Sequence, residues 1–128
     1  MGARVGWGQG PVRANIYSFR VGSNNPSLLK GRLKKQRRGG VIKNWKSRYF
    51  VLFGGKLRYY EDAIPNHLYG DIEKGNMDLT GAFVEDKGGL QFFVIGKVGR
   101  EKNLLLEADD AATKEQWMQV VRHHISAL

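Results

Sequence analysis

Along most of the chain apolar residues recur at every second position, in short runs separated by glycine, asparagine, aspartate or serine. The runs are LLKGRLKK, NWKSRYFVLF, KLRYYED, GNMDLTG, AFVEDK, LQFFVIG and KNLLLEAD, and this alternation turns one face of a strand toward a core. Gly54-Gly55 separates two of them by the length of a tight hairpin, whose positive φ angles glycine adopts without strain. Gly39-Gly40 and Gly88-Gly89 mark further bends. Seven short strands at this spacing predict an antiparallel sandwich or barrel. Near the end the period changes: in DDAATKEQWMQVVRHHISAL, Trp117, Met118, Val121, Ile125 and Leu128 fall at helical spacing on one apolar stripe. Asp109 or Asp110 caps this helix, or Thr113 and Gln116 form a capping box. The expected fold is mainly β, of the α+β type, with one C-terminal amphipathic helix closing an open end of the sheet structure.

Residues 1–27, rich in Gly, Asn and Ser, read as a leader, either partly disordered or carrying an extra strand where Tyr17, Phe19 and Val21 alternate. Residues 28–128 form one domain, a size that buries a modest core. There is no cysteine, which suits a reducing compartment and leaves no disulfide or thiolate metal site. No apolar run approaches the roughly 18 residues of a membrane span, so any membrane contact is peripheral. Met1-Gly2 is a weak acylation signal, because position 6 is Gly where Ser or Thr is usual.

Charge sharpens the picture once it is located. Residues 1–60 hold 14 Lys and Arg and no acid, whereas residues 61–128 hold 7 cations and 12 acids, giving +14 and −5 for the net +9. Such a field steers the basic half toward polyanions. Side chains alternate along a strand, so Lys46, Arg48, Phe50 and Leu52 share a face that changes from charged to apolar. On the preceding strand Leu29, Gly31, Leu33 and Lys35 run the other way. If the two strands form a hairpin through residues 36–44, Lys35, Lys46 and Arg48 gather at one rim of an inward face. The next hairpin brings Leu57 and then Tyr59 back toward that rim. The cluster is phosphate-sized. The alternative is that these side chains only snorkel from the barrel end into water.

The stretch KGRLKKQRRGGVIKNWKSRYFVLFGGKLRYY resembles the first three strands of a pleckstrin homology (PH) domain, and TKEQWMQVVRHHI, with Trp117, resembles that family's C-terminal helix. The resemblance covers about residues 28 to 127 and implies a seven-stranded antiparallel barrel or sandwich closed by the helix. In phosphoinositide-binding members a Lys ends the first strand and a Lys/Arg-x-Arg motif opens the second; Lys35 and Lys46-Ser47-Arg48 match, as does Tyr59. By implication these residues grip headgroup phosphates, supported by the loop cations Arg37, Arg38 and Lys43. Two departures stand out. Arg32 replaces a common first-strand aromatic, and the loop between the first two strands is slightly long, which leaves open a polyphosphorylated inositol or a smaller headgroup such as phosphatidic acid.

The expected function is a non-catalytic, monomeric membrane-targeting module on the cytosolic face of a membrane, with anionic lipids as partners and neither cofactor nor metal. Val41 and Ile42, on a loop tip between cations, either enter the acyl boundary or fold back against the barrel. A protein-interaction module of the same fold is the rival, since fold alone does not decide function. Nucleic-acid binding lacks a recognition helix, a zinc pattern or an RNA-sheet signature. An enzyme lacks a phosphate-binding loop and a nucleophile elbow. His123 and His124 adjoin on the helix and read as surface or helix-end residues, while Glu61-Asp62 and Glu85-Asp86 read as solvated.

Overall fold

Among the described residues eight strands and one helix follow one another: β1 (Ala14–Ser18), β2 (Ser27–Gln36), β3 (Trp45–Phe53), β4 (Lys56–Asp62), β5 (Asp71–Asp78), β6 (Phe83–Gly88), β7 (Gln91–Ile95), β8 (Asn103–Glu107) and α1 (Ala111–Ser126). The computed structural model describes residues 27–36 and 44–128, and the main chain of residues 14–18. All strand pairs are antiparallel, in the order β5-β4-β3-β2-β8-β7-β6, with β1 added on β2. Strand β2 joins the two halves. Its one edge pairs with β3 from Leu29 to Gln36, while the other pairs first with β1 and then, at Lys34 and Lys35, with β8. The β3–β4 turn needs its glycines, since Gly54 and Gly55 have φ of 64° and 80° and Phe53 pairs directly with Lys56.

The inner faces meet in one core. Leu29, Leu33, Phe50, Leu52, Leu57 and Met77 come from β2–β5, Phe92, Val94, Leu104 and Leu106 from β7 and β8, and Trp117, Met118 and Val121 from the helix. The Trp117 ring packs edge-on against Phe50, with centroids 6.4 Å apart. Removing a buried aromatic of this size costs about 3–5 kcal/mol. On the outer face Tyr49, Val51 and Tyr60 form a smaller cluster covered by Leu68. Burial, aided by nearby Glu73, pushes the Tyr60 phenol up to about 12.

Side chains at the helix tie it to the strands. Asp110 is the N-cap, its Oδ1 accepting from the Thr113 N–H at 2.8 Å, so the aspartate and not a Thr113–Gln116 box starts the helix. Lys114 is buried and donates to Asp86 Oδ1 at 2.7 Å and to the Gly89 carbonyl at 2.8 Å. Asp86, read from sequence as solvated, is therefore engaged, and the Lys114 ammonium and Gly88 N–H hold its carboxyl below the usual range. Arg122 donates to the Val84 carbonyl at 3.3 Å.

Two further differences from the sequence reading have local causes. Strand β5 begins at Asp71 and not near Gly75, because its first half is irregular: Ile72 has φ of 57° and the register with β4 shifts between Tyr59 and Tyr60. His124 is at the helix end but is only 1% exposed, and its Nε2 accepts from the Gly55 N–H at 2.9 Å. An accepting Nε2 requires the neutral imidazole. Desolvation accordingly lowers the His124 pKa, although the Ser27 main chain opposes the shift.

The sign follows from linkage: the unfolded chain binds a proton near pH 6.5 that the folded chain refuses, so stability is complete above that pH and falls below it. His124→Gln keeps an acceptor for Gly55 but does not titrate. Its melting temperature is expected to fall less between pH 7 and pH 5 than that of the wild type; parallel curves would remove His124 from the acid response.

Candidate functional site

Directly opposite residues of antiparallel strands share a face, so the ladders of β2–β5 stack the inner face in rows. Leu29, Leu52, Leu57 and Met77 form the deepest row; Gly31, Phe50, Tyr59 and Gly75 form the next. Leu33 then faces Arg48, and Lys35 faces Lys46. Over this distance the face changes from hydrocarbon to cation. Leu33 is 2% exposed, Lys35 and Arg48 are half-buried, and Lys46 is exposed.

Local contacts give the rim its shape. The Lys35 ammonium lies 5.3 Å from the centroid of the Tyr59 ring, and that ring stacks on Phe50 at 5.2 Å with a 29° interplanar angle. Lys35 also donates to the Gln36 carbonyl at 3.4 Å, and Arg48 donates to the Ser47 carbonyl at 3.1 Å. A cation over an aromatic face gains about 0.5–2 kcal/mol depending on desolvation. Tyr59 is 5% exposed, and its hydroxyl end lies against Gly75 of β5, so the ring face is what meets Lys35. The structure thus brings Lys35, Lys46, Arg48 and Tyr59 to one end of one face. Arg37, Arg38 and Lys43, together with Val41 and Ile42, lie outside the described residues.

The outer face of the same strands is balanced differently. Arg32 donates to the Ser47 hydroxyl at 3.3 Å and to the Glu61 carbonyl at 3.4 Å, and forms an ion pair with Asp62. Asp62, read as solvated, is therefore a partner of the residue that stands where an aromatic is usual. Lys30 donates to the His67 carbonyl at 3.4 Å. Sequence reasoning missed Gly75. Its signal was present, because a glycine inside a strand marks a close approach of another group.

The family model described as "PH domain" matches residues 28–126. Rho GTPase-activating protein 22 of Mus musculus is 36% identical over 112 residues, covering 80% of this chain and 16% of that protein. The chain thus spans about a sixth of that relative. Pleckstrin homology domain-containing protein 1 of Arabidopsis thaliana is 29% identical over 126 residues, covering 95% of this chain and 83% of that protein. Among solved structures, the C-terminal PH domain of pleckstrin in complex with D-myo-Ins(1,2,3,4,5)P5 is similar with a TM-score of 0.55 and 28% identity, over 72% of this chain and 90% of that one.

Lysines placed directly across a ladder repel each other by about 0.2–1 kcal/mol. Lys46→Gln is therefore expected to raise unfolding stability by about 0.5 kcal/mol in low salt, with the gain shrinking as salt screens the pair. Urea unfolding at two ionic strengths measures it, and a destabilised variant would contradict the opposed-charge geometry.

Proposed function

The chain belongs to the PH domain family, a family of lipid- or protein-binding modules, and on that premise we propose that it is a non-catalytic module that brings its protein to anionic membranes. Lys35, Lys46 and Arg48 hold a phospholipid headgroup at the rim, the buried Tyr59 ring supports Lys35 from beneath, and the loop cations Arg37, Arg38 and Lys43 add to the grip. One observation carries this reading: the register of β2 with β3 gathers three cations where an apolar inner face ends. Converging like charges cost folding free energy, and a bound polyanion offsets that cost. The pleckstrin PH domain that this chain resembles was solved with an inositol pentakisphosphate, which supports the same ligand chemistry here.

The order of events follows from the range of each force. The +14 field of residues 1–60 acts first, over roughly a Debye length of 8–10 Å, and draws the domain to the cytosolic leaflet. Charge-assisted hydrogen bonds at the rim then select the headgroup. Each basic residue near an anionic surface contributes about 1 kcal/mol, so a few effective contacts give micromolar or weaker binding. Val41 and Ile42 supply retention, each gaining about 1.5–3 kcal/mol if fully buried in the acyl boundary. Among the described residues no helix is long and apolar enough to cross a membrane, and the attachment proposed is peripheral.

A protein-binding role has one feature in its favour. Strand β6 ends the strand order, and its Phe83 is 53% exposed. This surface is separate from the cationic rim, so both uses are compatible in one domain.

Co-sedimentation with vesicles of matched charge tests the lipid reading, using a phosphoinositide, phosphatidic acid or phosphatidylserine as the anionic component. One headgroup is expected to be preferred, with Lys46→Ala and Arg48→Ala each weakening that binding about tenfold, as expected for loss of a charge-assisted contact. Equal binding to all three lipids, with both variants weakened alike on each, would leave only bulk electrostatics and sink the headgroup site.

A further inference from the structure

Gly75 pairs directly with Tyr59 in the β4–β5 ladder and sits inside a strand, where glycine costs about 0.5–1 kcal/mol relative to alanine. Its φ is not among the positive values of the chain, so backbone freedom does not explain the residue. Space does. A Cβ at this position would fall 2.6 Å from Tyr59 Cζ and 3.1 Å from Cε1, and closer still to the hydroxyl oxygen. The phenol therefore lies across β5 on ground that any other side chain would occupy.

The position of that ring sets the position of a rim cation. Tyr59 is sandwiched among three groups: Gly75 at its hydroxyl end, Phe50 stacked at 5.2 Å, and the Lys35 ammonium at 5.3 Å. Phe50 is in turn fixed by Trp117 at 6.4 Å, so the ring cannot move toward the core to make room. A methyl at residue 75 must push it toward the rim, into the space of the Lys35 side chain. We propose that Gly75 is a positioning residue of the anion site: it leaves room for the Tyr59 phenol, and the ring so placed aims the Lys35 ammonium. The inference rests on the headgroup reading above, and it adds a residue on β5 that touches no ligand.

The experiment pairs two readouts on Gly75→Ala, in the wild-type chain and in Tyr59→Leu, where no ring meets the new methyl. Lysine-labelled NMR follows the Lys35 ε-methylene protons, which the Tyr59 ring shifts upfield in this geometry. Calorimetric titration with soluble inositol pentakisphosphate measures affinity, and a melting curve establishes that each variant is folded. Expected are a Lys35 signal returning toward the ordinary lysine position and affinity about 5- to 10-fold weaker, the equivalent of losing one cation–π contact. In the Tyr59→Leu background Gly75→Ala should change affinity less than about twofold, because the coupling is then absent. An unmoved Lys35 signal, unchanged affinity, or an equal loss in both backgrounds would overturn the inference. Wild-type protein that takes up no inositol phosphate would overturn the headgroup reading itself and the ligand part of this inference, while the Lys35 signal would still decide whether Gly75 sets the ring.

Discussion

The register of β2 against β3 is the constraint on which the arrangement of this molecule turns, and it imposes one repulsive contact, Lys35 facing Lys46. That contact is unfavourable in isolation, and what fixes it lies deeper along the same strands. Leu29 opposite Leu52 and Gly31 opposite Phe50 set the register, and the Gly54-Gly55 turn fixes where β4 begins. A slip of β3 by one residue would send Ser47 to the inner face and turn Phe50 and Leu52 to the outer one. Such a slip would lose the burial of several large side chains, each worth about 1.5–3 kcal/mol, against less than about 1 kcal/mol gained by separating two lysines. The core therefore dictates the rim. No separate device is required to bring the cations together.

Period-two alternation makes this much legible in the sequence. It gave seven strands, the inward residues of the first three and the gathering of Lys35, Lys46 and Arg48 at one end of them, since all of these follow from which side of a strand a residue occupies. It could not give Arg32 with Asp62, Lys114 with Asp86, or His124 with Gly55. Those partners are 30, 28 and 69 residues apart and meet only after the sheet has closed and the helix has docked. The start of β5 was hidden for a different reason. DIEK carries three charges in four residues, and its single apolar side chain is exposed, so no alternation marks it as a strand. Gly75 stood at the head of the strand-like run GNMDLTG with no role assigned to it, and only the ring lying over it reveals why a glycine is there.

The helix side of the molecule and the rim side obey different rules. At the former, Trp117, Met118 and Val121 fill the core, while Lys114, Arg122 and His124 bind main-chain or carboxylate partners on β6, the β6–β7 turn and the β3–β4 turn. Packing and polar satisfaction agree there with local propensity.

Local rules fail toward the rim, and they do so on neighbouring strands. Two lysines face each other, β4 and β5 shift register at Tyr59/Tyr60, Gly75 interrupts a strand, and exposed Ile72 holds a φ of 57° that disfavours a β-branched residue. Departures from local consistency that cluster in a structure held firmly elsewhere are where function is sought. The two halves of that end differ in charge. The β4–β5 side exposes three acids, Glu61, Asp71 and Glu73, with one cation, Lys74, whereas the β2–β3 side carries Lys35, Lys46 and Arg48. On the headgroup reading proposed above, a polyanion would be repelled by the first and drawn to the second, so the acids would narrow its approach to the β2–β3 side. On that reading the acidic excess of the second half, which in the sequence only offset a basic first half, would act at the rim as a boundary on where an anion can sit.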